Sequence, residues 1–181
     1  MSRKNTKASK DIQNLCRIQH LDENELCARA KMVLSTYRGV CWSTIGRAEE
    51  IQDQMVCYCG TELDGALMYL ETFAPDEVRE QFEERIVSLY ETRWMIELIE
   101  NAMLHVRDYP EQGELYFEIL SKCYLTHFKY EEAELTELLN MERSRFYDRK
   151  KEAVLVFGLS LWGKSIPQLQ DFLQEGKREA G

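Results

Sequence analysis

Helix breakers are scarce in this chain. Three prolines and nine glycines punctuate 181 residues, and Glu, Leu, Ala, Met, Arg and Lys fill long segments between them. Those residues have the highest helix propensities, whereas proline and glycine are the ones that interrupt helices. No stretch alternates apolar and polar residues between turn signals as a half-buried strand does. The expected fold class is therefore all-α. The length suffices to bury a real core, as one domain or as a helical body with an appended module.

Residues 1–10 hold Arg3, Lys4, Lys7 and Lys10 without an acid, and read as a basic disordered arm. The helical body is expected over 11–107. Asp22, with Glu25 three residues on, caps a helix bearing Leu26, Ala30, Val33, Leu34 and Tyr37, which Gly39 is expected to end. Trp42 falls in the connector as a core anchor, and Ser43 or Thr44 caps the next helix, with Ile45, Ala48, Ile51, Met55 and Tyr58 inward. A short helix follows Gly60. From Asp76 to Arg107, Val78, Phe82, Ile86, Leu89, Ile96, Ile99, Met103 and Val106 recur at near-heptad spacing, interrupted at Arg93 and Glu100. A long central helix of about 30 residues, roughly 45 Å, is predicted there. Its stripe needs cover, which a second copy in a homodimer supplies; an internal helical hairpin is the alternative.

Asp108-Tyr109-Pro110-Glu111-Gln112-Gly113 reads as a linker (108–113) between the body and a C-terminal helix-turn-helix module over 114–163, with a short helix and tail at 164–181. The module opens with a helix from Glu114 to Leu125, with Leu115, Ile119, Leu120 and Tyr124 inward. In the motif, Leu135, Leu138 and Leu139 give the first helix an apolar face. Asn140 tolerates the left-handed turn, and Met141 returns to the core. In the second helix Phe146, Ala153, Val154 and Phe157 are expected inward, and Arg145, Asp148, Arg149 and Glu152 outward. Ser165 caps the last helix, with Pro167 in its first turn.

Residues 143–151 contain five basic side chains against Asp148, a local charge of +4, while the whole chain carries −9. Clustered cations at the start of a recognition helix suit DNA: phosphate attraction supplies the sequence-independent affinity, and base edges supply specificity. Arg145 and Arg149, four apart, are candidates for bidentate contacts to guanine, and Arg143 and Ser144 lie where the helix dipole favours phosphate. Lys150 and Lys151 suit the backbone. The candidate DNA-binding residues are thus Arg143, Ser144, Arg145, Arg149, Lys150 and Lys151. Glu142 stands where Ser or Thr usually caps a recognition helix, so a start shifted to Ser144 is an alternative.

The segment Leu115–Gly163, with Glu134-Leu135-Thr136-Glu137-Leu138-Leu139-Asn140-Met141 and Ser144-Arg145-Phe146-Tyr147-Asp148-Arg149-Lys150-Lys151-Glu152-Ala153, resembles the helix-turn-helix of sigma factor region 4. Within that group it is most similar to the ArpU and RinA type of phage transcriptional regulators. The run to Phe157-Gly158-Leu159-Ser160-Leu161-Trp162-Gly163 is similar to their C-terminal ending. The resemblance covers the last third of the chain, with Thr136 and Asn140 in place of the family's usual Ala and turn Gly. It implies a regulator of phage late or packaging genes, in which Ser144, Arg145 and Arg149 face bases and Arg143, Lys150 and Lys151 hold phosphates.

Other chemistry finds little support. His20, His105 and His127 are scattered, with no nucleophile turn, no phosphate loop and no paired metal ligands near them. No catalytic residue, metal site or cofactor is expected. Cys16, Cys27, Cys57 and Cys123 lie in amphipathic segments as small apolar residues, and Cys57-Tyr58-Cys59 has the wrong spacing for a zinc knuckle. With no secretory signal and no membrane-length apolar stretch, a cytoplasmic protein is expected. The expected partners are double-stranded DNA, a second copy of the chain and RNA polymerase. The competing functions are a small-terminase-like packaging protein and an acidic helical protein-interaction module.

Overall fold

The computed structural model of the chain describes residues 6–44, 93–126 and 128–180. Every regular element among them is helical. In chain order they are α1 (Lys7–Ile18), α2 (Glu23–Thr44), α3 (Arg93–Arg107), α4 (Gly113–Leu120), α5 (Glu132–Leu138), α6 (Arg143–Ser160) and α7 (Ile166–Glu179). A wider turn of π-type hydrogen bonding extends α4 at Ser121–Leu125, and another at Leu161–Ser165 joins α6 to α7. The elements expected at 45–92, the first half of the long apolar stripe and the Cys57/Cys59 pair lie outside the described residues; α3 is the end of that stripe.

The expected disordered arm is folded from Lys7 onward. Thr6 caps α1, its hydroxyl accepting from the Ser9 N–H at 3.2 Å. Ala8, Ile12 and Cys16 recur every four residues and bury one face of the helix. Composition alone hid this stripe, because a short amphipathic helix docked on a core needs only three apolar positions. The helix ends on His20, held in the left-handed region at φ 56°, with the Leu21 and His20 N–H groups returning to Cys16 and Arg17 carbonyls at 2.9 and 3.2 Å. Those two bonds are the Schellman pattern.

Asp22 caps α2 as expected, accepting from the Glu25 N–H at 2.9 Å. Contrary to expectation, α2 does not stop at Gly39; it continues through Trp42 to Thr44, and neither Ser43 nor Thr44 starts a new helix. A glycine inside a helix costs about 1 kcal/mol. Burial of Leu26, Ala30, Val33, Leu34 and Tyr37 along the same helix outweighs that.

One hydrophobic core runs through α1, α2, α3, α4 and α6 to the start of α7, from Ile12 and Cys16 to Phe157 and Ile166. The hub is α6, which touches α1, α2, α3 and α4. Its residues from Glu152 to Leu159 are buried in unbroken succession, as in a helix surrounded on all sides. Gly158 lets α2 pack close against α6: a Cβ there would lie 2.8 Å from Leu26 Cγ. Phe146, Ala153, Val154 and Phe157 are buried as expected.

The stretch expected as a linker is a tight corner. Val106 before it and Tyr116 and Leu120 after it belong to the same core, so the helices after the corner are built onto the rest of the molecule through α6. Ser165 does not cap α7. It sits buried in a continuous helical path, its hydroxyl 3.4 Å from Asn101 Oδ1, because the π-type turn carries the chain from α6 to α7 without a break. Pro167 lies in the first turn of α7, directly after the π-type turn. No described helix is long and apolar enough to cross a membrane.

Candidate nucleic-acid interface

The turn of the motif follows from its sequence. The Glu131 N–H donates to Glu134 Oε2 at 2.8 Å, fixing the start of α5. Leu135 then points into a small second core with Ile119 and Phe146. Asn140 takes φ 48°, and the N–H groups of Met141 and Asn140 donate to the Thr136 and Glu137 carbonyls at 3.0 Å each. This is a second Schellman closure, with asparagine in glycine's usual place. The chain re-enters helix at once, α6 starting at Arg143 with Glu142 as the residue before it. The Glu142 carboxylate makes no capping hydrogen bond, and Ser144 is an exposed first-turn residue rather than the cap. The alternative start at Ser144 is therefore not adopted.

Among the six expected DNA-binding residues, four have protein partners. Arg143 is exposed, with Nε 2.7 Å from Glu132 Oε1 and its guanidinium over the Tyr147 ring. The Tyr147 hydroxyl donates to Glu132 as well. The Tyr147 contact and the Glu132 charge raise the Arg143 pKa, and Glu132 raises that of Tyr147. Lys151 lies 3.2 Å from Glu23 on α2. Lys150 is half-buried, its Nζ 5.3 and 6.0 Å from the ring centres of Tyr124 and Phe146. Only Ser144 and Arg145 are exposed without an ion pair or hydrogen bond to another side chain among the described residues.

Arg149 overturns its expected place. It is 8% exposed, with Nη1 2.7 Å from Glu152 Oε2 and 3.5 Å from Gln112 Oε1. Glu152, also expected outside, is buried and collects three donors: Arg149, the Tyr116 hydroxyl at 2.8 Å and the Thr6 hydroxyl at 3.1 Å. Burial, followed by the Glu152 carboxylate, pushes the Tyr116 phenol pKa up. The cause lies in the hub position of α6. Helical spacing sets Arg145 and Arg149 side by side, but the boundary between solvent and core falls between them.

The charge balance narrows the usable face. Across residues 131–151, Glu131, Glu132, Glu134, Glu137, Glu142 and Asp148 oppose five cations, a net −1. With Arg149 internal and Arg143 and Lys151 paired, the accessible positive charge gathers at Arg145. Sequence reasoning missed Glu132, which holds Arg143 from across the turn, because a contact between two helices has no local signature; Tyr147, four residues after Arg143, stands at ordinary helical spacing. The burial of Arg149 and Glu152 did have one. They stand three apart, a pairing distance, directly before Ala153-Val154-Leu155-Val156-Phe157, too apolar for an exposed helix.

Cys16 and Cys27 are buried free thiols, consistent with their reading as small apolar residues, and Cys123 is half-buried. No group of potential metal ligands occurs among the described residues. His105 is half-buried on α3, where burial and then Lys164 hold its pKa below the ordinary 6.5, against a smaller pull from Asp108. No family model matches the chain, and no curated protein or solved structure matches it.

Proposed function

We propose that the chain is a cytoplasmic, sequence-specific DNA-binding transcriptional regulator of phage or prophage type, with the first two turns of α6 entering the major groove. The observation that carries this reading is the start of α6. A tight left-handed turn at Asn140 leads straight into a helix whose first N–H groups have no side-chain cap, with Ser144 and Arg145 facing solvent. Such an end suits a phosphate, and an unpaired arginine one residue further suits a guanine edge. Arg143 serves the backbone once Glu132 is displaced from it. Lys151 plays the same part if Glu23 releases it. Arg149 is a positioning residue in this reading, since its guanidinium is spent on Glu152.

With one unpaired cation on the face, a single copy binds weakly and two copies on a symmetric site bind usefully. The test is selection of bound duplexes from a random pool at a stated salt concentration, with Arg145→Ala as control. An enriched motif that Arg145→Ala loses supports the reading; equal enrichment by both proteins overturns it. A second reading, contact with another protein such as RNA polymerase, is favoured by the exposed Leu138 beside the carboxylates of α5. In that case duplex affinity shows no sequence preference and vanishes at moderate salt.

A further inference from the structure

We infer that the cleft bounded by α2, the π-type turn after α4, α5 and the start of α6 binds a small planar aromatic carboxylate. The cleft has a volume of about 570 Å³, within the range of small-molecule sites. Its walls are aromatic: Tyr124, Tyr130, Phe146 and Tyr147 all line it. Flat π-faces at this density select a ring that stacks or meets them edge-on.

Charge selects the rest of the ligand. Lys150 lines the cleft with its ammonium over the Tyr124 and Phe146 rings and no carboxylate partner among the described residues. Lys129 stands exposed at the rim. Arg38 directs Nε and Nη2 at the carbonyl oxygens of Thr126 and Cys123, at 2.7 and 2.9 Å. Those acceptors are neutral and leave its charge uncancelled. Of the two carboxylates in the lining, Glu132 is already held by Arg143 and Tyr147, which leaves Glu131. Burial raises the Cys123 thiol pKa, so the thiol adds no negative charge at neutral pH. Three cations against one uncommitted carboxylate favour an anion, and Lys150, beside the Tyr124 ring, sets its carboxylate end; Phe146 lies buried in the wall beneath. Because α5 and α6 both line the cleft, an occupant touches both helices of the motif. The inference does not rest on the DNA-binding reading, since binding is measured on the protein alone.

The experiment is calorimetric titration of the full chain with 4-hydroxybenzoate, with 4-hydroxybenzyl alcohol (ring without charge) and with cyclohexanecarboxylate (charge without ring). The expected result is saturable one-to-one binding of 4-hydroxybenzoate, with each analogue and the Lys150→Met variant weaker by about tenfold or more, the loss of roughly one strong contact. Lys164→Met, a surface control, binds like the parent. Absence of saturable binding, equal binding by Lys150→Met, or equal binding of the neutral alcohol overturns the proposal. Tighter binding of adenosine monophosphate in competition overturns the ligand class. Should Lys150→Met fail to fold, amide shifts of the parent chain decide: changes confined to 35–38, 123–132 and 146–150 support the site, and changes centred elsewhere overturn it.

Discussion

Arg145 and Arg149 are one helical turn apart and answer to different physics. Arg145 is exposed, so Arg145→Ala is expected to leave stability within about 0.5 kcal/mol; under the proposed DNA-binding function it is expected to cost about 1–3 kcal/mol of discrimination at one base position. Arg149→Met leaves the buried Glu152 carboxylate without its cation and is expected to cost about 3–5 kcal/mol in urea unfolding. Adding Glu152→Gln, which removes the orphaned charge and keeps an acceptor for Tyr116, should recover much of that loss. If Arg149→Met unfolds at the parent's urea midpoint, the buried pair does not act as described. His105 gives a pH prediction with a definite sign. Its folded pKa lies below the unfolded 6.5, so as pH falls below 6.5 the unfolded chain binds the proton first and stability is lost. His105→Gln should flatten the stability curve between pH 7 and 5, and an unchanged slope would rule the histidine out. At this scale the sequence revealed residue types and helical neighbours correctly. It did not reveal how far around α6 the core extends, to Arg149 and Glu152, which depends on Thr6 before α1 and Gln112 and Tyr116 at α4 far along the chain.

Helix ends were legible wherever the ending is local chemistry. Asp22 and Asn140 act as their residue types require: one side chain caps an N-terminus, and one residue accepts a positive φ. Gly39, Trp42 and Ser165 were misread because continuity of a helix is decided by what it packs against, and that information is not local. Gly113 is instructive, since it was noticed as a linker residue and matters for another reason. A Cβ at that position would lie 2.4 Å from the Arg107 carbonyl oxygen and 2.7 Å from that of Val106. Both obstacles are backbone at the end of α3, so neither swings aside. Gly113→Ala is expected to open the α3–α4 corner and cost about 1–3 kcal/mol, the usual range for overpacking. The measurement is a shift in the urea midpoint at unchanged m-value, and an unshifted midpoint would mean that the corner is free to relax.

At the scale of the molecule, the question is whether α4 to α6 form a module or a part. Helix α6 supplies Ala153, Val154, Leu155, Val156, Phe157 and Leu159 to a core whose other walls are Leu26, Ala30, Val33 and Leu34 of α2 and Ile99, Ala102, Met103 and Val106 of α3. A fragment beginning at Asp108 keeps the α6 side of those contacts and loses the facing side. Each large apolar side chain returned to water forfeits about 1.5–3 kcal/mol, and several of them exceed the roughly 5–15 kcal/mol by which a domain is stable. Glu152 also loses Thr6 in that fragment, and Lys151 loses Glu23. Residues 108–181 expressed alone should therefore show helical circular dichroism without a cooperative thermal transition and with poorly dispersed amide signals. The whole chain should melt cooperatively. A cooperative transition in the fragment would make the motif an independent module and free its orientation from the helices before it. Without one, the exposed end of α6 is held rigidly by the entire helical core, and any ligand or partner that shifts α2 or α4 acts on Arg145 through a single packed body.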